Sequence, residues 1–152
     1  MATEIIRAGV EHSSLLPGIV VAAKGHWGYP QAWLAAWGDR VRIPPEYVVH
    51  NEVWLAAADG QIAGFYGLKL EGDLGILDHL WVIPGRIGLG HGRALFEHAV
   101  QRAVVRGATF LEWESDRNAV PFYQRMGGRR LRETRTAMEH LLPVMGMGIP
   151  PK

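Results

Sequence analysis

Cysteine is absent from the 152-residue chain, which removes disulfide frameworks, thiolate zinc sites and cysteine nucleophiles together. Any covalent chemistry must run through another side chain. Also missing is an uncharged apolar run of the roughly 18 to 20 residues that a membrane-spanning helix needs, because the run from Leu15 to Ala23 contains Pro17 and is followed by Lys24. The opening MATEIIRAGV carries Glu4 where a secretory leader would be basic. A cytoplasmic protein without membrane association is therefore expected. Nor is there a surplus of one charge. The formal net charge is +1, far from the basic excess that neutralises phosphates in nucleic-acid binders, so no nucleic-acid partner is expected. The balance is uneven along the chain: residues 1–76 hold 5 basic and 8 acidic side chains, and residues 77–152 hold 11 and 7. The second half suits a small phosphorylated ligand.

What is present is 48% hydrophobic and 20% charged, the composition of a single domain with a real core, expected to span residues 1–152. Glu4 to Arg7 reads as a strand, and Ser14 as the cap of a helix from Leu15 to Lys24 with Pro17 in its first turn. After the loop Gly25–Pro30, a second short helix is expected to end near Gly38, and Pro44-Pro45 forbids its continuation. Val53–Ala58 and Gln61–Leu70 are β-type runs joined by Asp59-Gly60, a pair suited to a hairpin turn with both residues at positive φ. Gly72-Asp73 leads into a third run, Gly75–Ile83, closed by Pro84. The period then changes from 2 to 3.6: Phe96, Ala99, Val100, Ala103 and Val104 share one helical face, and Gly107 offers a C-terminal cap. A strand at Thr109–Glu114, a short helix at Ala119–Met126 and strands at Arg129–Thr134 and Leu141–Gly148 complete an α+β arrangement. In it, strand, helix, strand across residues 75–114 makes a parallel pair.

The segment LDHLWVIPGRIGLGHGRALF runs from strand through a loop with Gly88, Gly90 and Gly92 directly into the long helix. Glycines let neighbouring amides point the same way, and a helix N-terminus adds partial positive charge, so the segment suits a pyrophosphate. It is neither a GxGxxG nor a GK[ST] loop. Leu80-Trp81-Val82-Ile83-Pro84-Gly85-Arg86-Ile87-Gly88-Leu89-Gly90-His91-Gly92 resembles, without a gap, the central motif of the GNAT superfamily of acyl-CoA-dependent N-acyltransferases, L-Y-V-x-P-x-x-[RQ]-G-x-G-x-[GA]. The departure is Ile87, where the family has Arg or Gln. Downstream, DRNAVPFYQRMGG is similar to the family's Asn, helix, Tyr, Gly pattern, with Asn118 and Tyr123 at the matching positions and two residues fewer between them than is commonest.

The resemblance spans about Gly75 to Thr134. It implies a GNAT-like fold: a mixed, largely antiparallel sheet of six to seven strands, helices on both faces, and a splay between strands 4 and 5. It implies acetyl-CoA as donor and no metal. Leu80, Trp81, Val82, Ile87, Gly88, Leu89, Gly90, His91, Gly92, Arg93, Asn118 and Tyr123 would hold the donor. The implied reaction is direct attack of a primary amine, from a small molecule or peptide, within a ternary complex. A non-catalytic acyl-CoA-binding sensor or scaffold of the same fold is the alternative.

Such a transfer needs a neutral amine, a donor for the charge that builds on the thioester oxygen, and a proton for the departing thiolate. The resemblance points to the Val82 amide, exposed by a bulge, for the oxygen, and to Tyr123 as the acid. For the base, Glu112 and Glu114 share one face of their strand against Leu111 and Trp113, and two carboxylates there are costly to bury without purpose. Resemblance to polyamine-acetylating members sets Asp78 and His79 against the acceptor amine, while other members carry a catalytic Glu where Glu112 falls. A water chain could replace any single base. Trp27 and Tyr29, beside His26, lie in the loop where the family binds its acceptor, with Glu114 a further lining residue. Trp33 and Trp37, spaced i, i+4, read as core anchors, and His91 and His98 as no metal pair. The closing HLLPVMGMGI is apolar enough to seek a partner edge, and a homodimer is expected.

Overall fold

Alternation, turn chemistry and helix periodicity each become visible in the computed structural model, which describes residues 3–135 and 141–151. The elements run β1 (Glu4–Arg7), α1 (Leu16–His26), α2 (Gln31–Arg40), α3 (Pro45–His50), β2 (Glu52–Ala58), β3 (Gln61–Glu71), β4 (Leu74–Val82) and α4 (His91–Val105). There follow β5 (Phe110–Glu114), α5 (Val120–Arg125), β6 (Arg129–Arg135) and β7 (Leu141–Gly148). The strands form one seven-stranded mixed sheet in the order β1-β2-β3-β4-β5-β7-β6. Asp59 (φ 54°) and Gly60 (φ 74°) both take positive φ in the β2–β3 turn, as its twist requires. β4 and β5 pair in parallel only from Leu74 opposite Phe110 to Ile76 opposite Glu112, although β4 continues to Val82 and β5 to Glu114.

Two compact units share the chain, one of Met1–Gly67 with His79–His98 and one of Leu68–Asp78 with Ala99–Lys152. The first has a core of Leu16 and Val20 from α1, Ile43, Val48, Val53, Leu55 and Phe65, with Tyr47 and Trp81 packed against it. In the second, Leu111 and Trp113 of β5 are buried and Gly75 sits against Leu111, Ala103 and Leu68. The C-terminus of α4 closes with paired bonds, Gly107 N–H to Val104 O (3.0 Å) and Ala108 N–H to Ala103 O (2.9 Å), which satisfy carbonyls the helix leaves over.

Several local expectations are corrected. Leu15, not Ser14, precedes α1 and supplies no side-chain cap, because Leu15 N–H bonds back to His12 O (2.9 Å) and places Ser14 within a turn. Gly38 does not stop α2, which runs to Arg40. Glycine retains its N–H, and a β-carbon there would rest 3.6 Å from Val21, so the helix continues in contact with α1. The Pro44-Pro45 break stands, with Pro45 opening α3 as an N1 residue whose missing N–H costs nothing. On α4 the fully buried stripe includes Leu95 as well as Phe96, Ala99 and Ala103, while Val104 is half-buried. β7 offers no edge to a partner: it pairs antiparallel with β5 on one side and β6 on the other. Its apolar character is that of a strand inside a sheet. His140 lies outside the described residues, as does the Trp37 side chain.

Candidate active site

In the first unit, β4 delivers its C-terminal end to a glycine loop and the loop to α4. Gly88 and Gly90 both have φ of 88°, a conformation that side chains with a β-carbon rarely take, and a β-carbon added at either would meet nothing within 4 Å. The loop backbone is thus uncrowded at both glycines. Ala94 N–H donates to Gly90 O (3.1 Å) as the helix starts, so the amides of Gly90, His91, Gly92 and Arg93 have no partner within the helix. Four orphan donors at the positive end of a 15-residue helix make a cradle for a doubly charged phosphate group, and the residues present fit a CoA pyrophosphate.

The loop's side chains turn elsewhere. Ile87 and Leu89 are exposed, Arg86 donates to Gln61 Oε1 (3.0 Å), and Arg93 pairs with Glu97 (3.2 Å). The His91 ring is buried and hydrogen-bonded through Nδ1 to Thr3 Oγ1 (2.9 Å), so it anchors the start of α4. His98, further along, is bonded to the Tyr66 hydroxyl (2.8 Å).

Before the loop, Leu80, Trp81 and Val82 are half-buried. Ile83 N–H donates to Ala63 O (2.8 Å), and since successive amides of a strand point to opposite edges, the Val82 amide points away from β3. Gly64 of β3 makes this possible: a β-carbon there would collide with the Trp81 carbonyl oxygen and lie 3.0 Å from Val82 Cα. His79 and Trp81 share a face of β4, where Trp81 Nε1–H donates to His79 Nδ1 (3.0 Å). Around them stand Tyr47 (ring centre 6.0 Å from His79), Phe65 (5.7 Å) and Lys24, whose Nζ is 5.0 Å from the Trp81 ring centre. In the α1–α2 loop Trp27 is exposed beside His26, and half-buried Tyr29 stacks on Trp33 (6.0 Å).

The second unit holds the candidate acid and carboxylates. Tyr123 of α5 is 6% exposed, packed against Trp113 (5.0 Å) and Phe122 (5.1 Å). Burial first, and then the negative charge of Asp116, hold its phenol far above the ordinary tyrosine value, so its proton stays in place at neutral pH. Asn118 is exposed and tied to Asp116 Oδ1 by both its backbone N–H and its Nδ2 (3.0 Å each). Leu111 and Trp113 are buried on one face of β5 as the alternation requires, but the opposite face is not a buried acidic lining. Glu114 is exposed, and Glu112 is half-buried in an ion pair with Arg132 of β6 (2.8 Å). Asp78 pairs with Lys69 (3.7 Å).

Sequence reasoning did not find Lys24, Tyr47 or Phe65 as neighbours of His79 and Trp81, because they arrive through tertiary packing. The His79–Trp81 bond itself was legible as an i, i+2 pair on one strand face.

Comparison with known proteins now adds to this geometry. Residues 22–128 match the family model described as the Acetyltransferase (GNAT) family. The comparison with curated proteins found no match. Among solved structures, the PaiA N-acetyltransferase of Thermoplasma acidophilum, in complex with coenzyme A, superimposes with TM-score 0.81 at 18% identity, covering 97% of this chain and 99% of that one. A GCN5-related N-acetyltransferase of Rhodopseudomonas palustris gives 0.82 at 19%, covering 98% and 97%. The ribosomal-protein-S18-alanine N-acetyltransferase of Escherichia coli gives 0.69 at 18%, covering 99% and 96%. At these identities the structures speak for the fold, and the family model covers most of the chain. With the glycine loop at the head of α4 and the shortened β4–β5 pairing, they lead to one assignment: the chain belongs to the GNAT acetyltransferase family.

Proposed function

We propose that this protein is a single-domain, cytoplasmic N-acetyltransferase that moves an acetyl group from acetyl-CoA to a primary amine of a small molecule or peptide by direct attack. The observation that carries the reading is the open glycine loop whose orphan amides head α4. Among the described residues no helix is long and apolar enough to cross a membrane.

Bound acetyl-CoA supplies the activated acyl group; the chain supplies position and protons. Backbone amides of residues 88–93 hold the pyrophosphate, and the Val82 amide donates to the acyl oxygen as charge builds there. Asn118 meets the pantetheine arm. Tyr123 keeps its hydroxyl proton and delivers it to the leaving sulfur. Glu112 and Asp78, each held in an ion pair, orient the acceptor's ammonium or pass its proton to water, and the neutral amine that results attacks the acyl carbon.

Incubation with acetyl-CoA and a panel of amines (peptide N-termini, lysine, polyamines, amino acids and aminoglycosides) tests the reading by release of CoA thiol. Amine-dependent thiol release with an acetylated product is expected. Tight CoA binding with no release across the panel would make the chain an acyl-CoA-binding module instead.

A further inference from the structure

We propose that the outer edge of β6 is a docking site for an acidic polypeptide segment, which adds to the sheet as a further strand and sets its carboxylates against the arginines of RRLRETR. The proposal is independent of the transferase reading above. β6 is the last strand of the sheet and pairs only with β7, so among the described residues its other row of N–H and C=O groups meets no strand. Such a row is a template for pairing. β1, at the opposite end of the strand order, is four residues long with one charge of each sign, Glu4 and Arg7. β6 is seven residues long, six of them exposed, and carries Arg129, Arg130, Arg132 and Arg135 against the single Glu133.

The charge on this edge is not neutralised from within. Arg132 meets Glu112 of β5 (2.8 Å), and Glu133 is itself answered by Arg117 (3.7 Å). Among the described residues, Arg129, Arg130 and Arg135 enter no ion pair. From Arg117 to Arg135 the chain holds six arginines and one glutamate, a net +5, although the whole chain is only +1. The register with β7 puts Arg129, opposite Gly146, and Arg132, opposite Val144, on one face, and Arg130, opposite Met145, on the other. Guanidinium groups therefore flank the edge on both faces, and a strand laid along it gains main-chain bonds and cross-strand ion pairs together. The same arrangement selects the occupant. A second copy of β6 would bring arginines against arginines. A nucleic acid would meet the arginines but leave the main-chain edge unpaired, and β6 has no aromatic side chain on which a base could stack. An acidic polypeptide uses both the edge and its charge.

The test titrates the whole chain, at physiological ionic strength, with an eight-residue peptide alternating glutamate and threonine, with the same peptide N-methylated throughout, and with an oligouridylate of equal length. Hydrogen exchange of the β6 amides is read in each case. The plain acidic peptide should bind and slow exchange of those β6 amides that point away from β7. The N-methylated form, equal in charge but unable to donate as a strand, should bind at least about tenfold more weakly. Arg129→Glu combined with Arg130→Glu, both exposed and outside any ion pair among the described residues, should weaken the plain peptide at least about tenfold, while Lys at both positions should keep most of the affinity. No binding of the acidic peptide, equal binding of the N-methylated form, or unchanged affinity in the doubly reversed variant would overturn the proposal. Tighter binding of the oligouridylate would overturn it in favour of a nucleic-acid surface, and slowed exchange of the same amides in the concentrated protein alone would overturn it in favour of a second copy.

Discussion

At the head of α4 the groups that would meet a ligand belong to the main chain, whereas around α5 and β5 they belong to side chains. The glycine loop presents amides while its own side chains point away: His91 toward Thr3, Arg86 toward Gln61, Arg93 toward Glu97. In the proposed reaction Tyr123, Asn118 and Glu112 would instead act through atoms that a single substitution removes, and each is held by neighbours in its own unit, among them Trp113, Asp116 and Arg132. The contrast teaches where each region tolerates change. A main-chain cradle absorbs the replacement of the family's Arg or Gln by Ile87, since amide positions depend on φ and ψ; a side-chain acid cannot be replaced in kind.

The largest expected effect comes from breaking the main-chain site. Gly90→Asp places a carboxylate where the pyrophosphate would bind and should depress turnover at low acetyl-CoA by at least about a hundredfold. A β-carbon at Gly90 meets nothing within 4 Å, so the fold should survive, with only the positive φ to strain it. Gly90→Asn, equally strained but uncharged, should lose far less, and initial rates across acetyl-CoA concentrations separate the two. Next is Tyr123→Phe, which removes the proton donor and keeps the ring against Trp113. It should lower kcat at least about tenfold in single turnover.

Smaller effects sharpen the contrast. Glu112→Gln should raise the acceptor KM by about threefold, the loss of an ion-paired orienting group, with little change in acetyl-CoA KM. Glu114→Gln, exposed, should change less, and identical kinetics in both variants would make the pair structural charges. Ile87→Arg should tighten CoA binding by no more than about fivefold, as a partly exposed ion pair would.

The smallest effect concerns pH. Because the folded phenol of Tyr123 is raised, the folded state holds a proton that the unfolded chain releases above its ordinary value near 10. The resulting stability is full below pH of about 10 and declines above it. Tyr123→Phe should therefore lose less Tm than wild type between about pH 10 and 11, measured by thermal melts in matched buffers.

Much of the scaffold was legible because it is local. Asp59-Gly60 demands its hairpin, the 3.6 period marks α4, and the run from Leu80 to Gly92 carries strand, loop and helix start in one stretch. What was hidden depends on distant partners. The apolar HLLPVMGMGI reads equally as an edge or an interior strand until β5 and β6 are seen on either side of β7. The carboxylates of FLEWES read as costly to bury until Arg132 appears against Glu112 and Glu114 emerges into solvent. Ser14 does not cap α1, because the turn bond from Leu15 N–H to His12 O satisfies the chain before a cap is needed.

The division between a binding main chain and a reacting side chain is tested most directly by calorimetric titration of CoA into Gly90→Asp and Tyr123→Phe side by side. The account predicts that binding heat disappears in the first variant and that the second keeps the wild-type dissociation constant. Wild-type affinity in Gly90→Asp would contradict it, and so would loss of CoA binding in a folded Tyr123→Phe.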